Sequence, residues 1–233
     1  MRRLFQEVRY HIRPAPLNDF GDYDGYWEKR GGKIDIQHRW EIAANLIEDG
    51  STLLDVGAGT GQFIDYLRSR KPGVRCSASD MSARSVAMLR ERGVDAVQAD
   101  ISRDAISGQF DYVTCFEVIE HVADAETALR HLKHAFRKAL LVSVPNVGFI
   151  MSRFRLAVLG RFPLTTIQFH VKEHVRHWTP KDFRQWASVY GLRVVRMDGQ
   201  YGLPYTPWKK WPSLFAGALV YVLERDEHHG PSK

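Results

Sequence analysis

Residues 55–61 of the chain read Asp-Val-Gly-Ala-Gly-Thr-Gly and directly follow a short apolar run that begins at Thr52. An apolar run that ends in glycines is typical of a buried parallel strand that turns into a helix. Glycines let the backbone approach a ligand without an intervening Cβ atom, and a helix beginning near Gln62 would direct its free N–H groups toward that ligand. The segment therefore predicts a strand–turn–helix unit that either binds a small molecule or only makes a tight turn.

The rest of the chain alternates between strand-like and helix-like hydrophobic patterns. Strand-like runs cover residues 52–56, 74–79, 96–99, 110–116 and 139–144. Segments with helical spacing of apolar residues separate most of these runs. The helix before the run 139–144 is expected to include Phe136. A helix over residues 180–190 precedes two further strands, 192–197 and 218–224, which a long loop joins. Such alternation requires a parallel sheet with helices on both faces. The sequence predicts a doubly wound α/β sheet of seven strands, mostly parallel, with an antiparallel last strand.

Composition indicates one globular domain with peripheral segments. The 233 residues are 44% apolar and 26% charged, which is ordinary for a folded protein. No run approaches eighteen apolar residues, no signal peptide is recognised, and Cys76 and Cys115 lie in apolar runs as expected of reduced, buried thiols. We expect an N-terminal arm (1–35), a domain (36–225) with an insertion (147–178), and a tail (226–233). The expected location is cytoplasmic, with peripheral attachment to a membrane as an option.

Acidic residues follow the second and third predicted strands as well. Asp80 ends the second strand, 25 residues after Asp55, and Asp100 with Ile101 follows the third. A carboxylate after the second strand can accept both hydroxyls of a ribose, and Asp100 could bind the amino edge of an adenine that packs on Ile101. Because the carboxyl ends of parallel strands meet at one sheet edge, these residues predict a site for an adenosine-containing ligand.

The glycine turn resembles the first motif of the class I S-adenosylmethionine-dependent methyltransferases of the type 11/12 kind. Its spacing is G-x-G-x-G with an acid two residues earlier, whereas the dinucleotide fingerprint is G-x-G-x-x-G. Residues 110–122 resemble the fourth-strand motif of that family and residues 141–146 its fifth strand. The resemblance implies a Rossmann-like class I methyltransferase fold with S-adenosyl-L-methionine as cofactor. It implies as cofactor-binding residues Asp55, Gly57, Ala58, Gly59, Gly61, Asp80, Met81, Asp100, Ile101, Glu117 and Arg30, with Arg39 as a second candidate for the basic residue.

Within that class, residues 144–148, 159–163 and 177–183 resemble MetW-like methionine-biosynthesis proteins and relatives that methylate quinones or sugars. Glu117, Glu120 and His121 depart from the MetW-like pattern and favour catalysis. We therefore expect methyl transfer to oxygen or nitrogen of a small acceptor, such as a sugar, a quinone-like or a lipid-linked molecule. One alternative is a MetW-like non-catalytic partner of a homoserine acyltransferase. Another is RNA methylation, which only the mild net charge of +6 supports.

Two further sets of residues suggest chemistry at the acceptor. Glu117 and His121 are four residues apart and would share one side of a helical turn, so Glu117 could order the cofactor pocket and His121 could take a proton from the acceptor. The same pair could merely fix a helix start. His170, His174 and His177 are spaced by four and three, but no cysteine accompanies them, and no metal site is predicted.

The insertion is rich in basic and apolar side chains. Residues 149–178 contain five basic residues and one acid, Glu173; the basic ones are Arg153, Arg155, Arg161, Lys172 and Arg176. Apolar residues such as Phe154 alternate with them. This composition predicts a lid over the acceptor, and the alternatives are a surface for an anionic membrane or for a partner protein. Trp208 and Trp211, which flank two lysines, have a similar character.

Overall fold

A computed structural model describes residues 37–162, 174–202 and 206–227 of the chain. The arm with Arg30, and His170, Lys172 and Glu173 of the insertion, lie outside the described residues. In chain order the elements are α1 (His38–Leu46), β1 (Thr52–Val56), α2 (Gln62–Arg70), β2 (Arg75–Asp80), α3 (Ala83–Glu91), β3 (Asp95–Gln98), β4 (Phe110–Phe116), a 3-10 turn (Ile119–His121), α4 (Ala125–Ala135), β5 (Phe136–Pro145), α5 (Ile150–Leu159), α6 (Pro180–Val189), β6 (Leu192–Gly202), α7 (Pro212–Phe215) and β7 (Ala216–Arg225).

The strands form a single seven-stranded sheet in the order β3-β2-β1-β4-β5-β7-β6. The pairs β1–β2, β2–β3, β1–β4 and β4–β5 are parallel, and β7 runs antiparallel to both β5 and β6. The predicted doubly wound sheet with an antiparallel last strand is confirmed. The strand order reverses between β1 and β4, and ligands of open α/β sheets bind in the crevice at such a switch point.

Alternating strand residues divide the core between the two faces of the sheet. Leu53 packs with the buried residues of α1, α2 and α3, whereas its neighbour Leu54 packs with those of α4 and α6. Tyr112 and Val113 of β4 divide in the same way. This follows from the two-residue period of a strand, which sends successive side chains to opposite faces. The sheet is therefore covered on both sides, and its carboxyl edge is left for ligands.

Several element boundaries follow from local chemistry that the sequence contains. Helix α3 begins after Ser82, whose side chain accepts the N–H of Ser85, and ends before Gly93, which has a φ of +70°. Helix α6 begins with a capping box between Thr179 and Asp182. Among the described residues, no helix has both the length and the hydrophobicity needed to cross a bilayer.

Two boundaries differ from the prediction because strand pairing outweighs local pattern. Phe136, predicted as the last apolar position of a helix, is the first residue of β5 and pairs with Phe110. Strand β6 continues past Met197 to Gly202, since β7 pairs with it as far as Ala216. The longer β6 carries its last residues to the carboxyl edge of the parallel strands, next to α1.

Candidate functional site

A cavity of about 440 Å³ lies at the carboxyl edge, over the switch point between β1 and β4. This is within the range of about 300–1,000 Å³ for small-molecule sites. Its lining brings together residues from the ends of β1, β2 and β4, the segment after β3, the first turns of α1 and α2, and the end of β6. Of the predicted site residues it includes Asp55, Gly57, Ala58, Asp80, Met81, Asp100, Ile101, Glu117 and His121.

The glycine turn has the backbone geometry that its sequence predicts. Gly57, Gly59 and Gly61 have φ values of +70°, +53° and +74°, a region that side chains disfavour. A Cβ atom on Gly57 would lie 2.3 Å from Cγ2 of Val118, which also lines the cavity. Gly59 and Gly61 shape the turn without being part of the cavity lining. A side chain on Gly57 would therefore collide with Val118, so the close packing of the turn against Val118 requires glycine at this position.

Asp80 holds the glycine turn in place. Its buried carboxylate accepts the backbone N–H of Gly59 at 2.7 Å and that of Ser82 at 2.9 Å. The sequence suggests a ribose-binding acid here but contains no signal for the bond to Gly59. Because each carboxylate oxygen has further lone pairs, these bonds leave Asp80 able to accept hydroxyl groups as well.

Asp55 is buried beneath the turn, at the end of β1. Its Oδ1 accepts the hydroxyl of Thr114 from β4 at 2.7 Å. Burial raises the pKa of Asp55 to about 7, with a further upward contribution from Asp80, while Thr114 and Arg39 act in the opposite direction. The site thus contains a carboxyl group whose charge is sensitive to a cation near it.

Asp100 and its neighbours form the wall at the far end of the cavity. Oδ1 of Asp100 accepts the N–H of Ser102 at 3.0 Å and its hydroxyl at 2.7 Å, which fixes the turn after β3. Ile101 is buried, whereas Met81 is half exposed on the same cavity wall. Two apolar side chains beside a carboxylate suit a flat, polar-edged ring such as adenine.

Arg39 in the first turn of α1 faces the opposite end of the cavity. Its Nη1 lies 3.9 Å from Oε1 of Glu117, and its side chain is 14% exposed. Glu117 has a φ of +55° and is fixed by the Ser143 hydroxyl, which donates to Oε1 at 2.8 Å. The Nε of Arg39 is buried with no hydrogen-bond partner among the described residues. Because Arg39 also lines the cavity, its guanidinium is a candidate partner for an anionic group of a ligand.

A cluster of Glu120, His121 and His174 lies near Glu117. The rings of His121 and His174 are T-shaped with centroids 4.6 Å apart, and Nε2 of His121 lies 3.8 Å from Oε1 of Glu120. The backbone oxygen of Glu120 accepts the N–H groups of Val175 and Arg176, which fixes the segment that carries His174. Burial, with smaller contributions from His121 and His177, lowers the pKa of His174 to about 3, so this imidazole is neutral at physiological pH.

The same cluster has the donors of a metal site. Glu120, His121 and His174 each offer one ligand atom, and these atoms lie within 4.8 Å of one another. Two imidazoles and one carboxylate are a common ligand set for a catalytic divalent cation. Of the histidines that the sequence places in the insertion, His174 belongs to this group, His177 contacts Phe162, and His170 lies outside the described residues. The expectation of no bound metal stays a prediction.

Sequence reasoning missed several residues of the cavity because their positions in the chain give no periodic signal. The aromatic wall of Trp40, Phe63 and Phe116 could have been assigned only to the core from its pattern. Tyr201 is 162 residues from Arg39 and yet within hydrogen-bond distance of it. Of the described residues in the insertion, His174 lines the cavity, and α5 does not.

Comparisons with known proteins give a consistent result. The family described as "Methyltransferase domain" matches residues 26–197. The ubiquinone biosynthesis O-methyltransferase of Xylella fastidiosa (strain 9a5c) is 24% identical over 229 aligned residues, covering 90% of this chain and 89% of that protein.

Two solved structures show the same fold. One is a TehB-like SAM-dependent methyltransferase from Corynebacterium glutamicum, with a TM-score of 0.59 and 19% identity, covering 87% of this chain and 96% of that one. The other is magnesium protoporphyrin IX methyltransferase from Synechocystis PCC 6803 with bound SAH, the demethylated form of the predicted cofactor. It has a TM-score of 0.57 and 16% identity, and covers 95% of this chain and 94% of that one.

Proposed function

The chain belongs to the methyltransferase-domain family, and from this premise we propose that it transfers the methyl group of S-adenosylmethionine to a hydroxyl oxygen of a small quinone-type acceptor. Methyl transfer that depends on S-adenosylmethionine follows from the family itself; the atom methylated and the acceptor class are the proposed part. The observation that carries the proposal is the convergence of the glycine turn and three acids, Asp55, Asp80 and Asp100, on one cavity.

The lining of the cavity supports one orientation of the cofactor, with the adenine near Asp100 and the amino-acid carboxylate near Arg39. Asp80 would accept the ribose hydroxyls, while Asp100, Ile101 and Met81 would hold the adenine. The methionyl part would lie along the glycine turn, with its carboxylate at Arg39. Arg39 lines the cavity beside Glu117 rather than beside Asp100, which supports this direction. Arg30 remains the other candidate for this role.

Catalysis then depends mainly on the alignment of the acceptor oxygen with the methyl group of the cofactor. The bound cofactor supplies a methyl group on a sulfonium, which is a good leaving group. The glycine turn and Glu117 position the reacting end of the site, and the aromatic wall of Trp40, Phe63 and Phe116 excludes water from it. His121, which lines the cavity, would take the proton from an acceptor hydroxyl.

The quinone-type acceptor is supported by the relative's name and by the chemistry of the cavity wall. The curated relative is named as an O-methyltransferase of ubiquinone biosynthesis, which favours catalysis over a MetW-like partner role and over RNA methylation. The neutral His174 and the aromatic wall would accommodate an uncharged aromatic ring with a hydroxyl group.

We also propose that α5 presents a surface to an anionic membrane that contains the acceptor. Phe154, Leu156, Val158 and Leu159 of this helix are exposed, and residues 146–162 contain basic residues but no acid. Trp211 is 62% exposed beside Lys209 and Lys210. Asn146 joins the two segments, since its amide donates to the carbonyls of Ser213 and Ala216 and accepts the N–H of Gly148. A partner protein is the alternative occupant.

Transfer of a labelled methyl group tests the proposed function. The protein is incubated with methyl-labelled S-adenosylmethionine and, separately, with a catechol-type quinone precursor, a sugar, and total RNA. Label in the organic-soluble product of the first reaction is expected. Label in RNA, or no transfer to any acceptor, would contradict the proposal.

Two single histidine substitutions, one at the site and one as a control, test the proposed proton acceptor. His121→Asn should lower kcat by roughly 10²–10⁴-fold with little change in the affinity for S-adenosylhomocysteine. His134→Asn, on the exposed side of α4, is the matched control. Equal kcat values for the two variants would remove His121 from the mechanism.

A further inference from the structure

We propose that Gln200 and Tyr201, the residues near the end of β6, are positioning residues that hold Arg39 over the carboxylate end of the cofactor site. The inference rests on the proposed function, because it assumes that Arg39 binds that carboxylate. We call these two residues the β6 clasp. Neither residue has a periodic signal in the sequence, and their common partner lies about 160 residues earlier in the chain.

Gln200 fixes the backbone of Arg39. Its side chain is fully buried, and its Oε1 accepts the N–H of Arg39 at 3.0 Å. The N–H groups of a first helical turn have no partner within the helix, and the N-cap residue of α1, Gln37, makes no side-chain cap. Gln200 therefore serves as a cap from a distant strand and sets where α1 begins relative to the sheet edge.

Tyr201 holds the guanidinium of the same arginine. Its hydroxyl accepts from Nη1 of Arg39 at 3.4 Å and donates to Oε1 of Gln37. Tyr201 has a φ of +55°, which is uncommon for a residue other than glycine, and it lines the cavity. An unusual backbone conformation at a cavity wall persists where surrounding structure enforces it and is often linked to function.

Trp208 packs against the backbone on both sides of the clasp. Its ring lies against Gly199 and Gly202 on either side of the clasp, and a Cβ atom on Gly202 would lie 1.9 Å from its Cγ. The same ring makes a T-shaped contact with His38, next to Arg39, at 5.6 Å between centroids. Trp208 thus contacts both the end of β6 and the start of α1.

The clasp orients Arg39 for a ligand. Glu117, from the end of β4, lies 3.9 Å from Nη1, so β4 and β6 position this nitrogen from two sides. The side chain of Arg39 is 14% exposed and lines the cavity. A planar guanidinium held in this way can donate to a carboxylate with little loss of side-chain freedom.

A pair of ligands distinguishes positioning from general stabilisation. S-adenosylhomocysteine carries the amino-acid carboxylate, whereas 5′-methylthioadenosine lacks the amino-acid group and keeps the adenosine. Calorimetry with both ligands is carried out on the wild type, Tyr201→Phe, Gln200→Leu and Arg39→Ala. Tyr190→Phe, at the end of α6 and outside the cavity lining, is the matched control.

We expect Tyr201→Phe and Gln200→Leu to weaken S-adenosylhomocysteine binding by roughly 3- to 10-fold while binding of 5′-methylthioadenosine is unchanged. In the Arg39→Ala background, Tyr201→Phe should cause no additional loss. Equal losses for both ligands, no loss for either, or full additivity with Arg39→Ala would overturn the clasp.

Different results would contradict the proposed function. If the wild type binds neither ligand, the cofactor site itself is wrong, and the clasp falls with it. If Arg39→Ala binds both ligands as the wild type does, the carboxylate is held elsewhere, which overturns the clasp but leaves the methyltransferase activity standing.

Discussion

At the scale of single residues, one carboxylate of Asp80 both fixes the glycine turn and lines the cavity, where we propose that it binds the ribose. In Asp80→Ala we expect the affinity for S-adenosylhomocysteine to fall by about 1.5–3 kcal/mol. The free energy of unfolding should also fall, by about 1–3 kcal/mol for each buried N–H left unpaired, at Gly59 and Ser82. Calorimetry and chemical denaturation measure the two effects. Asp95→Ala, on the exposed edge strand β3, should change neither, and unchanged affinity in Asp80→Ala would contradict the assignment.

Asp55 should make the stability of the protein depend on pH. Its pKa of about 7 exceeds the ordinary value of 3.8, so the folded state binds this proton more tightly than the unfolded chain. That stabilisation is complete below pH 3.8 and is lost as the pH rises through 7. Relative to Asp55→Asn, the wild type should lose about 3 kcal/mol of unfolding free energy between pH 5 and pH 8. Denaturation curves at both pH values test this; parallel pH dependence in both proteins would refute it, and Glu91→Gln on the surface of α3 is the control.

The site residues differ in how far the sequence could predict them. Asp55, Asp80 and Asp100 follow apolar runs, and parallel strands bring their carboxyl ends to one edge, so their proximity could be predicted. Tyr201 comes to the cavity only because β7 pairs antiparallel with β6 over its full length, and that pairing depends on contacts between distant residues. The hydrogen bond from the backbone N–H of Gly59 to the Asp80 carboxylate depends on three-dimensional atomic positions. The hydrophobic periodicity of the sequence does not contain this information.

At the scale of secondary-structure elements, the turn between β1 and α2 allows a test of the close approach that glycine provides. Gly57→Ala and Gly50→Ala both place a side chain at a positive φ, at a cost of about 1 kcal/mol each. Only at Gly57 would the added Cβ atom also collide with Val118, at 2.3 Å from its Cγ2, whereas nothing lies within 4 Å of the position on Gly50. Titration with S-adenosylhomocysteine should show at least about a tenfold loss for Gly57→Ala alone. Similar affinities for the two variants would mean that the turn is only structural.

Helix α5 has a buried basic side chain and exposed apolar side chains, and the sequence pattern did not distinguish the two. Arg155, one of the five basic residues that the composition of the insertion includes, is buried. Phe154 and Val158 are exposed instead. The basic surface of this helix is therefore smaller than its composition indicates, and substitutions of Arg155 report on packing rather than on membrane binding.

Substitutions on α5 should consequently have separate effects. Phe154→Asp and Val158→Asp should leave the free energy of unfolding within about 0.5 kcal/mol of the wild type. Sedimentation with vesicles that contain anionic lipid should show reduced binding for both variants, because an aspartate opposes burial in the lipid interface. Arg155→Glu should lower stability by about 3 kcal/mol or more, since it buries an unpaired charge. Wild-type vesicle binding in the aspartate variants would favour a partner protein on this surface.

At the scale of the whole molecule, one continuous sheet connects every part of the site. β2 and the segment after β3 line the proposed adenine end of the cavity, and the end of β4 lines the proposed acceptor end. Arg39 donates its backbone N–H to Gln200 of the edge strand β6. The fold class could be predicted because the alternation of strands and helices allows few topologies. The placement of β7 between β5 and β6 could not, since both orders of the last two strands fit the same sequence pattern.

A ligand that contacts this many strands should stabilise the domain as a single unit. S-adenosylhomocysteine at about one hundred times its Kd contributes about 2.7 kcal/mol to the folded state. For a domain of this length, that corresponds to a rise in Tm of roughly 5–11 °C. Differential scanning calorimetry should show one transition that shifts as a whole, because β1 and β4 pair directly at the centre of the sheet and neither half can unfold without exposing the other. In Asp80→Ala the shift at the same ligand concentration should be smaller, as weaker binding requires. Two transitions, of which only one moves with ligand, would mean that the strands on either side of the switch point unfold independently, and that the cofactor is bound by one of them alone.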